Sequence, residues 1–194
     1  ITGNLDYPQI EKFLEENIFQ IEKITKTFLN EVYLVINHNE SLPVGISLKI
    51  NNDRNIIREK DIDYLLIDAK QQIRKNFFDR SIIHMIINNY LFDGVKYNHL
   101  PKELNCDNFS LDLKFICLSN KLIKDIEFIF QKHQVFIREI ICAKYTKEFF
   151  HDETLDIFEM TRNIQKGYNE NEIILVPRKL KKKGIFERFF HFFG

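Results

Sequence analysis

Ser81-Ile82-Ile83-His84-Met85-Ile86-Ile87-Asn88-Asn89-Tyr90-Leu91-Phe92-Asp93-Gly94 decides the fold class. Ser81–Asp93, rich in Ile, Tyr and Phe, reads as a long strand. Asp93-Gly94 closes it, because Gly and Asp tolerate the positive φ of a tight hairpin turn. A long strand that stops at a hairpin turn implies an antiparallel neighbour. Phe109 to Leu118 supplies one, with Phe109, Leu111, Leu113 and Phe115 on alternate positions. Pro101 to Asn108 reads as the loop between them.

Other elements extend outward from this pair. Asn4 to Asp6 can cap a helix, and Pro8 suits its first turn. Ile10, Phe13, Leu14, Ile18, Ile21, Ile24 and Phe28 recur at helical spacing. Val32–Ile36 is a short strand. Leu42–Ile50 is another, with Ile46, Leu48 and Ile50 alternating. A second helix runs from Asp61 to about Lys75 with Ile62, Leu65, Leu66, Ala69 and Ile73 on one face. Ser119 and Asn120 open a third, with Leu122, Ile123, Ile126, Ile129 and Phe130 inward. Val135–Ile141 is the last strand. The order α-β-β-α-β-β-α-β, with mostly antiparallel strands, predicts an α+β two-layer sandwich of a small sheet and helices.

Composition sets the bounds. The chain has 194 residues, 44% hydrophobic and 29% charged, with zero net charge. That is the profile of a globular domain with extensions, and it lacks the basic excess of a nucleic-acid binder. Cys106, Cys117 and Cys142 are odd in number and far apart, which favours reduced thiols over a disulfide framework or a zinc site. No signal peptide or transmembrane run is visible. The first residue is Ile1 rather than Met, which is compatible with a piece of a longer chain.

The search for chemistry finds little. The glycines form no GxGxxG and no GxxxxGK, so no phosphate cradle is expected. There is no HExxH, no GxSxG and no paired His/Cys cluster. Asp61 and Asp63 open a helix, where capping accounts for them better than a metal. His84 lies among strand residues and reads as a structural histidine. His133 ends a helix, where a cation suits the dipole. No nucleophile, base and orienter come together, and the expectation is a non-enzyme without a catalytic, cofactor or metal site.

The end of the sequence is more telling. Arg178-Lys179-Leu180-Lys181-Lys182-Lys183 precedes Gly184-Ile185-Phe186-Glu187-Arg188-Phe189-Phe190-His191-Phe192-Phe193-Gly194. At about 100° per residue, Ile185, Phe186, Phe189, Phe190, Phe192 and Phe193 share one helical face, while Glu187, Arg188 and His191 fall opposite. Such a stripe can pack on a core. Next to Lys181, Lys182, Lys183 and Arg188, and behind a polar stretch, it reads instead as a membrane-surface helix with cations for anionic lipid. A Lys/Arg block with no aromatics interleaved is not a stacking platform, so no nucleic acid is expected as a partner. Ile173–Val176 is a short apolar run that can add a strand or dock on the domain. The expected organisation is 1–146 as an interaction domain, 147–183 as a tether and 184–194 as the amphipathic helix.

With the elements placed, residues 1–143 resemble the SHS2 subdomain, called 1C, of the bacterial cell-division FtsA family. Glu31-Val32-Tyr33-Leu34-Val35-Ile36 is similar to the family's "vYVSI". Arg58-Glu59-Lys60-Asp61-Ile62-Asp63 resembles "VTKEDID", and Ile82 to Gly94 is similar to "ILHVLPQEYIVDG". Leu111-Asp112-Leu113-Lys114-Phe115-Ile116 and the helix after it fit the remainder. The resemblance implies an SHS2-like domain that binds division proteins or itself. It also implies a C-terminal helix on the cytoplasmic side of the inner membrane, at the division site. The family's ATP-binding subdomains and its "DxGGGTT" loop are not found in these residues. ATP and FtsZ are therefore expected only where those subdomains are present. The related actin-like adaptors of pilus and secretion assembly carry the same subdomain and form the alternative.

Overall fold

A computed structural model describes residues 5–101, 104–151, 154–173 and 175. They form an α+β protein of five helices, a four-stranded sheet and a two-stranded sheet. The chain divides into two compact units. One comprises 5–42 and 118–168, the other 43–117 and 169–175, within their described residues. The interaction domain expected over 1–146 spans parts of both units.

The first unit is built on α1 (Tyr7–Thr25), β1 (Glu31–Ile36), α3 (Asn120–Lys132) and β6 (Phe136–Cys142). Asp6 caps α1 by accepting from the Gln9 amide at 3.0 Å, and Pro8 occupies the first turn. The helix stops at Thr25 because Lys26 turns left-handed at φ 55°, three residues before the expected end at Phe28. Ser119 caps α3, which buries Leu122, Ile126, Ile129 and Phe130. β1 and β6 run parallel, with Leu34 opposite Ile140 and Ile36 opposite Cys142. A register shift at Val32/Tyr33 kinks the pair. Leu34, Ile36, Ile140 and Cys142, which share a face by this register, are all buried.

The segment expected as a tether is folded in part. α4 (Ala143–Phe150) follows β6 directly and ends at His151, which adopts a left-handed conformation at φ 47°. α5 (Ile157–Gln165) is capped by Asp156, whose carboxylate accepts from the amides of Phe158 and Glu159 at 2.8 Å each. α4 packs on α5, and Met160, Thr161 and Ile164 are buried. Residues 176–183 and the helix expected over 184–194 lie outside the described residues.

The second unit is a helix on a sheet. Its strands are β2 (Leu42–Ile56), β3 (Arg80–Phe92), β4 (Val95–Tyr97) and β5 (Asn105–Ser119), in the order β2-β5-β3-β4. Cross-strand contacts give the directions. Ser47 and Arg54 of β2 reach Asp112 and Asp107 of β5, and Asn89 reaches Asp112 while the Asp93 amide reaches Asn108. Both pairs are therefore antiparallel. Asp93 (φ 49°) and Gly94 (φ 84°) make the expected tight turn into β4. The Asp93 carboxylate also accepts from the Asn108 and Asp107 amides at 2.7 and 3.2 Å, tying the turn to β5. α2 (Glu59–Asn76) lays Ile62, Leu65, Leu66, Ala69 and Ile73 on Met85, Ile87, Phe109, Leu111, Leu113 and Phe115.

Candidate functional site

His84 is the first sequence-selected residue with a structural answer. It sits on β3 with its side chain fully buried, and Nδ1 lies 2.7 Å from Glu172 Oε1, itself 8% exposed. Glu172 is 88 positions away in the chain. It is delivered by residues 169–173, which lie antiparallel along β3. The Ile87 amide donates to the Asn171 carbonyl at 2.9 Å, and the Ile173 amide to the Met85 carbonyl at 2.8 Å. The Asn171 side-chain amide donates to the Asn98 carbonyl at 2.8 Å. The Tyr90 hydroxyl donates to Asn171 Oδ1 at 3.4 Å, and burial pushes that phenol up to about 12. Ile173 joins the core. Ile173, the first residue of the expected apolar run, thus docks on the sheet. The His84–Glu172 pair is closed to solvent, so it works as a clasp between β3 and the returning segment rather than as an open reaction site.

Asp61 and Asp63 part company. Asp61 accepts from the Arg58 amide at 2.9 Å, so it does cap α2. Asp63 does not. Its Oδ1 is buried without a hydrogen-bond partner, and burial, with repulsion from Glu59, raises its carboxyl to about 6. Capping therefore explains only the first of the two. The cysteines are all buried thiols, as the sequence suggests for reduced residues. Burial holds the Cys117 thiol up at about 11.

A different feature of the first unit escaped the sequence reading. β1 and β6 are the only strands of their sheet among the described residues, which leaves strand edges without a further strand. At the start of β1 lies an open groove of about 640 Å³, lined by Thr27, Phe28, Leu29, Asn30, Glu31 and Phe136. Phe28 is 82% exposed, Phe136 62% and Tyr33 45%. Arg138 donates to Glu31 at 2.6 Å and places its guanidinium 5.7 Å from the Tyr33 ring centre. Phe13, Phe19 and Ile24 of α1 are also exposed, although the helical spacing predicts Phe13 and Ile24 to face inward. Scattered exposed apolar residues are ordinary, but large aromatics beside a strand edge are the makings of an interface. The signal in the sequence was the surplus of Phe at positions where a small unit has no core left to fill.

The residues read as membrane-binding, Lys181, Lys182, Lys183, Ile185, Phe186, Arg188, Phe189, Phe190, Phe192 and Phe193, lie outside the described residues. Among the described residues no helix is long and apolar enough to cross a membrane. One group there combines imidazole and carboxylates at metal-ligating separation: Glu11, Glu15 and His133. No model of a known protein family matches the chain, and no curated protein matches it either.

Proposed function

We propose that the chain is a non-catalytic scaffold of the bacterial division machinery, similar in role to FtsA, that joins division proteins to the cytoplasmic face of the inner membrane. The observation that carries the reading is the aromatic strand edge of the first unit. Unpaired backbone groups of an edge strand can take a strand from another chain, and Phe and Tyr side chains beside it give that strand affinity. The resemblance of residues 1–143 to the 1C subdomain supports a division protein, or a second copy of the chain, as the partner. The closed His84–Glu172 clasp supports a structural rather than a catalytic use of the buried polar groups. In the FtsA family ATP and FtsZ engage subdomains that these residues do not resemble, so neither enters the reading, and nor does nucleic acid.

The membrane half rests on the Ile185–Phe193 stripe and on Lys181 to Lys183. Partial burial of six apolar side chains gives several kcal/mol, set against about 1.5–3 kcal/mol for each fully buried one. Each cation adds about 1 kcal/mol at an anionic surface. Ordering about ten residues consumes much of that gain. One tail therefore binds weakly, and firm attachment needs several tails on one assembly.

The test has two arms on the full chain. A photo-crosslinking residue at Tyr33 or Phe136 should capture division proteins or a second copy, whereas one at the more exposed Phe78 should not. Phe190→Glu should abolish co-sedimentation with anionic liposomes and leave the circular dichroism unchanged. Crosslinks only to metabolic enzymes would sink the first half. Sedimentation of Phe190→Glu with vesicles would sink the second.

A further inference from the structure

Glu11 and Glu15 lie four residues apart on α1, so one helical turn stacks their carboxylates on the same face. α3 is held against that face at two points. The Tyr7 hydroxyl donates to Asp125 at 3.5 Å, and Lys132 Nζ lies 2.6 Å from Glu11 Oε1. His133, the C-cap of α3, follows Lys132 directly. One carboxylate oxygen of each glutamate and one ring nitrogen of His133 all fall within 4.8 Å of one another. Of the two ring nitrogens of His133, Nε2 is buried and makes no hydrogen bond. A buried nitrogen left without a partner loses its hydration and gains nothing in exchange, which is why such atoms are rare.

We infer that Glu11, Glu15 and His133 bind a divalent transition-metal ion, with Zn²⁺ the best match. One imidazole and two carboxylates suit zinc, which takes nitrogen at about 2.0–2.1 Å and oxygen at about 2.0–2.2 Å. An imidazole in the set disfavours Mg²⁺ and Ca²⁺, which take oxygen ligands. Tetrahedral bonds of that length set neighbouring ligand atoms roughly 3.4 Å apart. The three atoms must therefore close in slightly, which the exposed, flexible Glu15 side chain allows. A fourth position remains for water or for a ligand from a partner. The ion would satisfy Nε2 and pin α1 to the end of α3. Lys132 is its built-in competitor, because its ammonium already neutralises Glu11. That rivalry separates a metal site from an ordinary acidic surface.

Titration calorimetry of the chelator-stripped full chain with ZnCl₂ tests this. One ion should bind per chain. His133→Gln and Glu15→Gln should each weaken binding by about tenfold or more, since even outer-sphere losses cost that much. Lys132→Gln should tighten it several-fold by removing the competitor. The Co²⁺ form should show ligand-field bands without thiolate charge transfer, which excludes the cysteines. Circular dichroism of each variant guards against unfolding. No saturable Zn²⁺ uptake, unchanged affinity in a folded His133→Gln, weaker binding in Lys132→Gln, or equal competition by Mg²⁺ would each overturn the assignment.

Discussion

Replacing Glu172 by Ala should release residues 169–173 from β3 and leave the rest of the second unit folded. The segment is held by the buried pair His84 Nδ1 to Glu172 Oε1 at 2.7 Å, by the Asn171 side-chain bonds to Asn98 and Tyr90, by two backbone bonds to Met85 and Ile87, and by Ile173 in the core. A hydrogen bond to a charged group contributes about 1.5–3 kcal/mol. If that bond closes the clasp, its loss lowers the opening free energy of the segment by the same amount. Each 1.4 kcal/mol is tenfold, so the Ile87 and Ile173 amides should exchange about 10–150 times faster. Glu172→Gln keeps the side-chain volume and a carbonyl acceptor, and should fall between wild type and Ala. Residue-resolved hydrogen exchange reads the effect directly. The Asn108 amide, which donates to Asp93 in the same sheet, is the internal control. Unchanged exchange at Ile87 and Ile173 would show that the pair holds nothing. Equal acceleration at Asn108 would show that the segment is not a separable clasp but part of the global fold.

Asp63 predicts a pH effect of known sign. Its folded carboxyl, near 6, lies above the ordinary value near 4, so the folded state holds this proton more tightly than the unfolded chain. The resulting stability is fully present below about pH 4 and is lost as pH rises through about 6. Asp63→Asn should flatten the pH dependence of the unfolding free energy between those limits and raise it at pH 7 by about 1–2 kcal/mol, reduced from the full shift because the side chain is partly solvated; identical pH profiles from urea unfolding of the two proteins would refute the assignment. Cys117, with its thiol near 11, should react with an alkylating agent only after denaturant unfolds the chain, and rapid labelling of Cys117 in the native protein would contradict its burial.

The local grammar of the chain was largely legible. Asp6 and Pro8 at α1, Ser119 at α3 and the Asp93-Gly94 turn act through neighbours a few residues away, so sequence alone reveals them. β4 was missed because Val95–Tyr97 is too short to show a period. Leu155, Phe158 and Ile164 carry a weak helical spacing at α5, but α4 and α5 run only to eight and nine residues, and at that length one apolar face offers two or three positions to count. Pairings between distant residues were out of reach. Nothing local in Glu31–Ile36 states that it lies parallel to Phe136–Cys142, and so the division into two sheets could not be foreseen. The same holds for Glu172 and His84. The sequence marks His84 as a structural residue, but its partner depends on a return of the chain from far downstream.

The helix-spaced residues of α1 show where periodicity stops being a guide to burial. Ile10, Phe13, Leu14, Ile18, Ile21 and Ile24 follow the spacing of a core-facing helix, yet only Leu14 is buried, while Phe13 and Ile24 stand well exposed. A helix with an apolar face and too little protein to cover it is stable only if other contacts hold it in place. In α1 these are polar: Tyr7 on Asp125, Lys132 on Glu11, and the Leu29 amide on the Glu22 carboxylate at 2.9 Å. The proposed metal would strengthen this set at the end of α3, where His133 Nε2 now stands unbonded. If these contacts fix the helix, its apolar surface need not be spent on folding and can serve binding. A small scaffold needs that division of labour, because apolar area used to fold a unit cannot also be offered to a partner. The polar contacts of α1 and the exposed aromatics around β1 and β6 then become two halves of one design, the first holding the unit together and the second joining it to other proteins.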